Sequence, residues 1–494
     1  VTSYTDLNGA ITAYTHDALG RLERSVLPGD TDEFPTLEYE YQLAQAFGDG
    51  RLINFVETRL LDKIPGSAGD EKRDHYFISR DFSDGFARVV MKKSEAEPDP
   101  ESGGPRAAVT EAALFNARGA PSISLQPYFS MGQGATLDEL LEFEDVRADG
   151  WIGLFHGNGE SIPLDFGNAF KVSTEYDAVL RHTRSTNADG TQRLMAFEPL
   201  VTIMSDENDL DPGSRYFGTT TVHHRDGLGR LVRVDENVRL TDAGLPSDEL
   251  VSWSTSYSYR ADGSLTQTVD SQGNARLQDY DGLGRKILLN DPDRGTFQYA
   301  YDAASNLIET VDAKTQRVTY TYDGADRVLT EDYHDEGRPY SANRVYDPSQ
   351  PLSESNRPDV LYHYDTPAQP LPFGDGDEGA AENTRGLLAY VEDLAGETHT
   401  SYNARGRSAW VLKRVPDPRT GQLVSYKTDL AYDSQDRVVE MKYPDGDRTS
   451  FAYNDQFVLE RIAGGAAANR NAEPFIVPFA EYGSSGQRTR FAFG

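Results

Sequence analysis

Tyr259-Arg-Ala-Asp-Gly263-Ser-Leu265, Tyr280-Asp281-Gly-Leu-Gly284-Arg285, Tyr301-Asp302-Ala-Ala-Ser-Asn306-Leu307 and Tyr322-Asp323-Gly-Ala-Asp-Arg327-Val328 restate one phrase at a fixed interval of 21 residues. The interval returns between Tyr432-Asp433-Ser-Gln-Asp-Arg437 and Tyr453-Asn454. A constant period of this length marks a repeat architecture, and repeats build extended surfaces more often than reaction centres. Before each tyrosine, rings and β-branched residues fall at every second place, as in Trp253/Thr255/Tyr257/Tyr259 and Phe297/Tyr299/Tyr301. Period-2 spacing places them on one face of a strand. The Asp after the tyrosine can accept a backbone N–H two residues on, and the following Gly tolerates positive φ, so the phrase encodes a turn. A second strand follows, over 285–289 or 327–330, and then a second turn such as Asp270-Ser-Gln-Gly273. The unit is a β-hairpin, marginal alone, that must pair edge to edge with its neighbours.

The phrase also opens the chain, at Tyr14-Thr-His-Asp17-Ala-Leu-Gly20-Arg21, and recurs at Tyr402-Asn-Ala-Arg-Gly406-Arg407. Looser versions occur at Phe82, Phe115, Tyr176 and His224. The repeat residues predicted to carry the sheet are Tyr14, Asp17, Gly20, Arg21, Tyr259, Tyr280, Asp281, Gly284, Arg285, Tyr301, Asp302, Tyr322, Asp323, Arg327, Tyr402, Gly406, Arg407, Tyr432, Asp433, Arg437 and Tyr453. Each arginine is expected to pair with a nearby Asp or to lie across a ring. The fold class is all-β, a large sheet of paired hairpins. Five stretches are expected: strands at 1–69, irregular repeats at 70–250, regular repeats at 251–348, a Pro/Gly/acidic excursion at 349–385, and further repeats over 386–494. Within the second, text at 75–82 and 88–92 reads as strand and 94–105 as an exposed acidic loop. Thr136 with Glu139 three residues later predicts a short helix near 136–146.

The 494 residues carry 48 Lys+Arg against 80 Asp+Glu, a formal charge of −32, which disfavours nucleic acid as a partner. No cysteine is present, which removes disulfides and thiolate chemistry. No apolar run is long enough for a membrane-spanning helix and no leader is visible; the chain reads as an internal piece of a larger protein.

These motifs resemble the RHS/YD-repeat family, and most closely the B component of bacterial Tc toxin complexes. The likeness rests on Tyr14 to Leu22, Asp81-Phe-Ser-Asp-Gly-Phe-Ala-Arg-Val89, Phe115-Asn-Ala-Arg-Gly-Ala-Pro121, Gln126-Pro-Tyr128-Phe129, Tyr176 to Arg184, Phe197-Glu-Pro199 and the repeat array. The resemblance implies a spiralling sheet that closes as part of a hollow shell around a toxic polypeptide. It further implies a C-type shell component and a channel-forming A component as partners, and a secreted or cell-surface location. The gating propeller of the family would precede Val1. The self-cleaving segment of the family, an Asp-Pro-x-Gly type sequence, does not appear, and the resemblance implies that it belongs to the partner half or to single-chain relatives.

Other chemistry is weighed against its ordinary reading. Gly374-Asp-Gly376-Asp-Glu-Gly379 fits a dinucleotide fingerprint, but follows a Pro-rich stretch and carries three acids, so it reads as a loop. Asp206 to Asp211 lacks the Gly and distal Glu of a calcium loop and reads as a solvated acidic turn. His224 reads as a packed substitute for the repeat tyrosine. No catalytic, cofactor-binding or metal-binding residue is assigned, and the chain is not expected to be an enzyme. Two alternatives to the container remain: an extracellular adhesive or carbohydrate-binding repeat protein, and a hydrolase within 70–185.

Overall fold

The computed structural model describes residues 2–47, 51–62, 76–130, 135–146, 152–155, 161–163, 171–240, 246–334, 347–353, 356–454, 456–465 and 475–493. The 69/70 boundary expected from sequence, and residue 75, lie outside them. The regular secondary structure of the described residues is almost entirely antiparallel strand. It divides into two compact units.

The second unit, Ser173–Tyr362 with Val391–Leu394, holds the regular array. Its strands pair antiparallel in chain order. Lys286–Asp291, for example, pairs with Gly295–Tyr301, which pairs with Leu307–Val311. Rings at alternate places share a face: in Gly295–Tyr301, Gln298 and Ala300 are exposed while Phe297, Tyr299 and Tyr301 are half-buried. A bulge recurs beside each tyrosine. Tyr280 faces Lys286 while Asp279 faces Leu288, and the same slip occurs at Tyr259, Tyr301 and Tyr322. One extra residue at the same place in every hairpin adds local twist of one hand. Among the described residues of this unit, Leu361 is the one buried hydrophobic side chain. Most other strand side chains are half-buried or exposed, and the buried ones, Asp235, Asp291, Thr330 and Asp332, are polar, as expected of a single layer of sheet held by lateral pairing.

The first unit comprises Val1–Val172, His363–Tyr390 and Ala395–Gly494. One row of strands runs from Thr2–Thr5 to Tyr128–Ser130, and a second from Gly396–Tyr402 to Phe475–Val477. The first row has an ordinary core in which Phe82, Met91, Val109, Leu125, Leu140 and Leu141 pack together. The Lys93 side chain is buried beside it, and its Nζ donates to the Glu142 carbonyl at 2.8 Å.

Three local expectations change. The helix is one turn, Leu137–Leu140, capped reciprocally by Thr136 and Glu139. Leu140 and Leu141 enter the core, and Glu144–Val146 is then drawn into a small sheet against Ile152–Phe155. The acidic loop begins later than residue 94, because the strand Val89–Ala96 continues and the Glu95 carboxylate accepts the Ile78 N–H at 3.1 Å. The excursion at 349–385 contributes Val360–Tyr364, which pairs with Val328–His334.

Candidate functional site

The repeated element is the tyrosine turn. In residues 281–285 the Asp281 N–H donates to the Arg285 carbonyl at 2.9 Å, and the Gly284 N–H to the Asp281 carbonyl at 3.2 Å. Asp281 Oδ1 accepts the N–H groups of Leu283 and Arg285, both at 2.9 Å, and Oδ2 accepts Arg285 Nε at 2.7 Å. Gly284 sits at φ 79°, where a side chain is strained. Asp323 with Arg327, Asp433 with Arg437 and Asp17 with Arg21 repeat the carboxylate–guanidinium contact at 2.7, 2.5 and 2.6 Å. Asn306 replaces the arginine beside Asp302, its amide donating to Oδ2 at 3.1 Å. In residues 403–407, Asn403 Oδ1 accepts the N–H groups of Arg405 and Arg407.

Seven of the predicted repeat tyrosines fasten their hairpins to an earlier turn. Tyr301 Oη donates to the Lys286 carbonyl at 2.9 Å, and the Arg285 guanidinium lies 4.9 Å from the centre of the same ring. The hydroxyls of Tyr259, Tyr280, Tyr322, Tyr402, Tyr432 and Tyr453 donate in the same way to the carbonyls of Leu231, Leu265, Leu307, Leu388, Ser408 and Val438. The acceptor is always the residue just past an earlier turn. Arg407 and Arg437 cover Tyr432 and Tyr453 at 4.5 and 4.6 Å. The arginine therefore both pairs with Asp and covers a ring. It also reaches sideways: Arg285 Nη1 donates to the Asp302 carbonyl of the next turn at 2.8 Å. Accepting the Arg285 N–H, above all, holds the Asp281 carboxyl below the usual aspartate range, and Asp323 is lowered likewise by Arg327.

Two positions differ from the sequence alignment of the phrase. His16, facing Leu22, occupies the place that Tyr280 holds facing Lys286, and Tyr14 lies two residues earlier opposite Ser25. Arg225, facing Leu231, likewise holds the tyrosine place, not His224. The His224 ring nitrogen instead meets the Asp235 carboxylate at 2.8 Å. The fastening of the 17–21 turn comes from Tyr41, whose Oη donates to the Leu22 carbonyl at 2.9 Å under Arg21. Tyr482 donates to the Leu459 carbonyl at 2.6 Å. Gly486, four residues after it, was the available signal.

The turns on the tyrosine side of a row form one edge, and those at the opposite strand ends form a counter edge. In the first unit the two kinds meet. Asn8 exchanges two hydrogen bonds with the Arg385 backbone, at 3.2 and 3.0 Å. Arg405 donates to the Pro28 carbonyl at 2.8 Å and to Asp30 Oδ2 at 2.6 Å, with both side chains almost wholly buried. Gln435 donates to the Leu61 carbonyl, Arg437 pairs with Asp62 at 2.8 Å, and the Phe77 and Phe457 rings lie 4.4 Å apart. Nothing in the sequence flagged Asn8, Asp30, Asp62 or Gln435.

The weighed chemistry resolves locally. Gly374 to Gly379 belongs to a small hairpin, Leu371–Pro372 with Glu378–Gly379, and a Cβ on Gly374 would stand 2.6 Å from the Ser425 carbonyl oxygen. Asp206 is exposed, as a solvated turn requires, and also serves as an N-cap: it opens the one-turn helix Glu207–Leu210 in a reciprocal box with buried Asp209. Among the described residues no group of three or more His, Asp or Glu is arranged to hold a metal ion. No helix among them is long and apolar enough to cross a membrane. A recess of about 370 Å³ lies at the seam beside Asn8, Pro28 and Arg405, and one of about 390 Å³ beside Arg215, Phe217 and Arg239.

A family profile for the RHS repeat matches residues 301–338. No curated protein sequence matches the chain. Among solved structures, TcdB2–TccC3 superposes with a TM-score of 0.74 at 19% identity, over 99% of this chain and 24% of that one. Its fold is that of the TcdB2–TccC3 toxin chains. A Photorhabdus luminescens Tc holotoxin pore with a mutated TccC3 superposes equally, with a TM-score of 0.74 at 17% identity, over 99% of this chain and 26% of that one. TcdB2–TccC3 with Cdc42 gives a TM-score of 0.73 at 17% identity, over 99% and 27%. The chain therefore spans about a quarter of the length of these Tc-fold chains.

Proposed function

We propose that the chain is a section of the shell wall of a toxin complex, enclosing a toxic polypeptide before its translocation. It would act without turnover, outside the producing cell, alongside a C-type shell component and a channel-forming A component. The observation that carries this reading is the single-layer sheet of the second unit, whose order comes from lateral hydrogen bonds and tyrosine fastenings while Leu361 is its one buried hydrophobic among the described residues. A sheet that is stable without a second layer can leave one face to a lumen and the other to solvent. The match to Tc-toxin chains supports the same reading. The adhesive alternative needs aromatic faces free to stack on sugars. Here guanidinium groups cover several of the rings and backbone carbonyls engage their hydroxyls.

The test is electron microscopy of the chain within its full-length protein and partner, with protease protection of a tethered guest polypeptide. A closed body that shields the guest is expected. An open rod, or a guest cleaved as fast as when free, would overturn the proposal.

A further inference from the structure

We propose that Asn8-Gly9, in the turn that clips onto Arg385, is a self-deamidation site held in check by the closed seam and released when that seam opens. The inference concerns a joint inside the first unit and is independent of the shell reading.

An asparagine side chain is open to attack by the main-chain nitrogen that follows it, and glycine is the residue that leaves this nitrogen unshielded. Asn8-Gly9 is the one Asn-Gly pair among the described residues; Asn158-Gly159 lies outside them. Gly9 is exposed and a Cβ on it would meet nothing within 4 Å, so solvent base can reach its N–H. In the reaction the N–H gives its proton to hydroxide, and the nitrogen forms a bond to Asn8 Cγ. The Cγ–Nδ2 bond breaks, and Nδ2 takes a proton from water and leaves as ammonia. Water then opens the cyclic imide. Cleavage at Cγ leaves aspartate at position 8. Cleavage at the main-chain carbonyl leaves isoaspartate, with the chain rerouted through Cβ and Cγ. Water and hydroxide are the co-reactants.

The closed seam occupies both reacting groups. Asn8 Nδ2 donates to the Arg385 carbonyl at 3.2 Å, and Oδ1 accepts the Arg385 N–H at 3.0 Å, which pins the amide to the facing turn. The Gly9 N–H donates to the Asp6 carbonyl at 3.2 Å. Asp6 Oδ1 accepts the N–H groups of Asn8 and Ala10, on either side of Gly9, at 2.9 and 2.8 Å. An amide anion at Gly9 would form against that carboxylate. Cyclisation needs the clip and the Gly9 bond to be given up. Local opening is within reach, because little packing holds this corner. Leu7, which lies over Gly386 so closely that a Cβ there would stand 2.9 Å from its Cδ1, is still 68% exposed. The recess of about 370 Å³ adjoins the clip, and the neighbouring strand Thr2–Thr5 is exposed throughout. Such an element opens without global unfolding.

The product cannot restore the clip. Aspartate at position 8 sets a carboxylate oxygen against the Arg385 carbonyl where the amide had donated, so two acceptors face each other. Isoaspartate adds a carbon to the main chain inside the turn that the Gly9–Asp6 bond closes. Opening is thereby converted, slowly and irreversibly, into the loss of one joint of the seam. The observed rate is the open-state rate multiplied by the fraction of time spent open. Two exposed hydrogen bonds and the Leu7 contact should lower it about tenfold or more.

The experiment incubates the full-length protein at neutral pH and follows modification at position 8 by peptide mass spectrometry, with isoaspartate separated chromatographically. The same protein unfolded in urea gives the open-state rate. Leu7→Ser, checked for wild-type melting, loosens the clip without altering the reacting pair. The native protein is expected to react about tenfold or more slowly than the unfolded one, and Leu7→Ser about threefold faster than wild type. Should Leu7→Ser fail to fold, wild-type protein in urea below its unfolding transition takes its place and should show the same acceleration. The deamidated fraction, isolated by its extra negative charge, should exchange the Arg385 amide about fivefold faster than the unmodified protein. Equal rates in native and unfolded protein, an unchanged rate in the loosened protein, or an unaltered Arg385 amide in the modified fraction would each overturn the inference. Each of these outcomes leaves the shell reading untouched.

Discussion

Replacing Tyr301 by Phe removes one hydroxyl and tests the lateral fastening directly. The ring stays half-buried beneath Arg285, so packing and the guanidinium contact at 4.9 Å persist. What is lost is the 2.9 Å bond to the Lys286 carbonyl. A neutral hydrogen bond contributes about 1 kcal/mol net, and an acceptor left without its donor adds to the loss only so far as water cannot reach it. The site is half-buried, so a cost of about 1 to 1.5 kcal/mol is expected, a factor of about 5 to 10 in an opening equilibrium. In a repeat array this loss belongs to one neighbour interface, not to the whole chain. The assay is native-state hydrogen exchange on the strands Lys286–Asp291 and Gly295–Tyr301, with Ser408–Pro416 as a remote reference. Amides of the first two strands should exchange about 5 to 10 times faster while the reference is unchanged. Tyr299→Phe is the internal control, since the Tyr299 hydroxyl has no hydrogen-bond partner among the described residues, and should move rates less than about twofold. If the two variants behave alike, or if exchange rises evenly along the chain, the fastening argument fails.

Other outcomes follow from the same geometry. Arg405→Ala leaves the buried Asp30 carboxylate with only Thr36 and Ser434 as donors, so a loss of about 3 kcal/mol is expected, read as earlier proteolysis and melting of the first unit; Arg405→Lys, without the fork, should recover only part of it. Gly284→Ala meets no atom within 4 Å and should cost only the backbone strain of φ 79°, about 1 kcal/mol in thermal melts. Gly396→Ala would put a Cβ 2.0 Å from the Arg414 carbonyl oxygen and should prevent that hairpin from forming, seen as lost exchange protection across Gly396–Tyr402. Hydrogen bonds from Arg233, with those from Ser254 and His224, lower the Asp235 pKa to about 2 against burial. A lowered folded-state pKa stabilises above the unfolded value and is lost as pH falls from about 4 towards 2. Asp235→Asn should therefore flatten part of the melting-temperature decline over that window, and an unchanged decline would refute the assignment.

The turn was legible because its determinants lie within five residues: an Asp to accept two N–H groups, a residue at positive φ, and an arginine to close the carboxylate. The lateral fastening was half legible. The tyrosines stood out by spacing, but a carbonyl acceptor leaves no trace in side-chain identity, and Tyr41 and Tyr482 fall outside the regular period. Register decided two further cases, because the bulge makes the residue immediately before Asp the tyrosine place, so His16 and Arg225 fill it where spacing favoured Tyr14 and His224. The seam was not legible at all. Arg405 and Asp30 are joined by tertiary packing across some 375 residues, a separation no local pattern encodes. Burial likewise decided the ends of the short helix and of Val89–Ala96, where Leu140, Leu141 and Glu95 are drawn inward against their local propensities.

Since each fastening tyrosine donates its hydroxyl to main chain, the identity of the acceptor residue carries no information that mutation could erase. Leucine, lysine, valine and serine all serve. The link also spans unequal stretches, closing over 15 residues at Tyr301 and over 28 at Tyr259. Such an array can drift in sequence and accept inserted segments between hairpins without losing its joints, which is how two chains sharing fewer than one residue in five can keep one architecture.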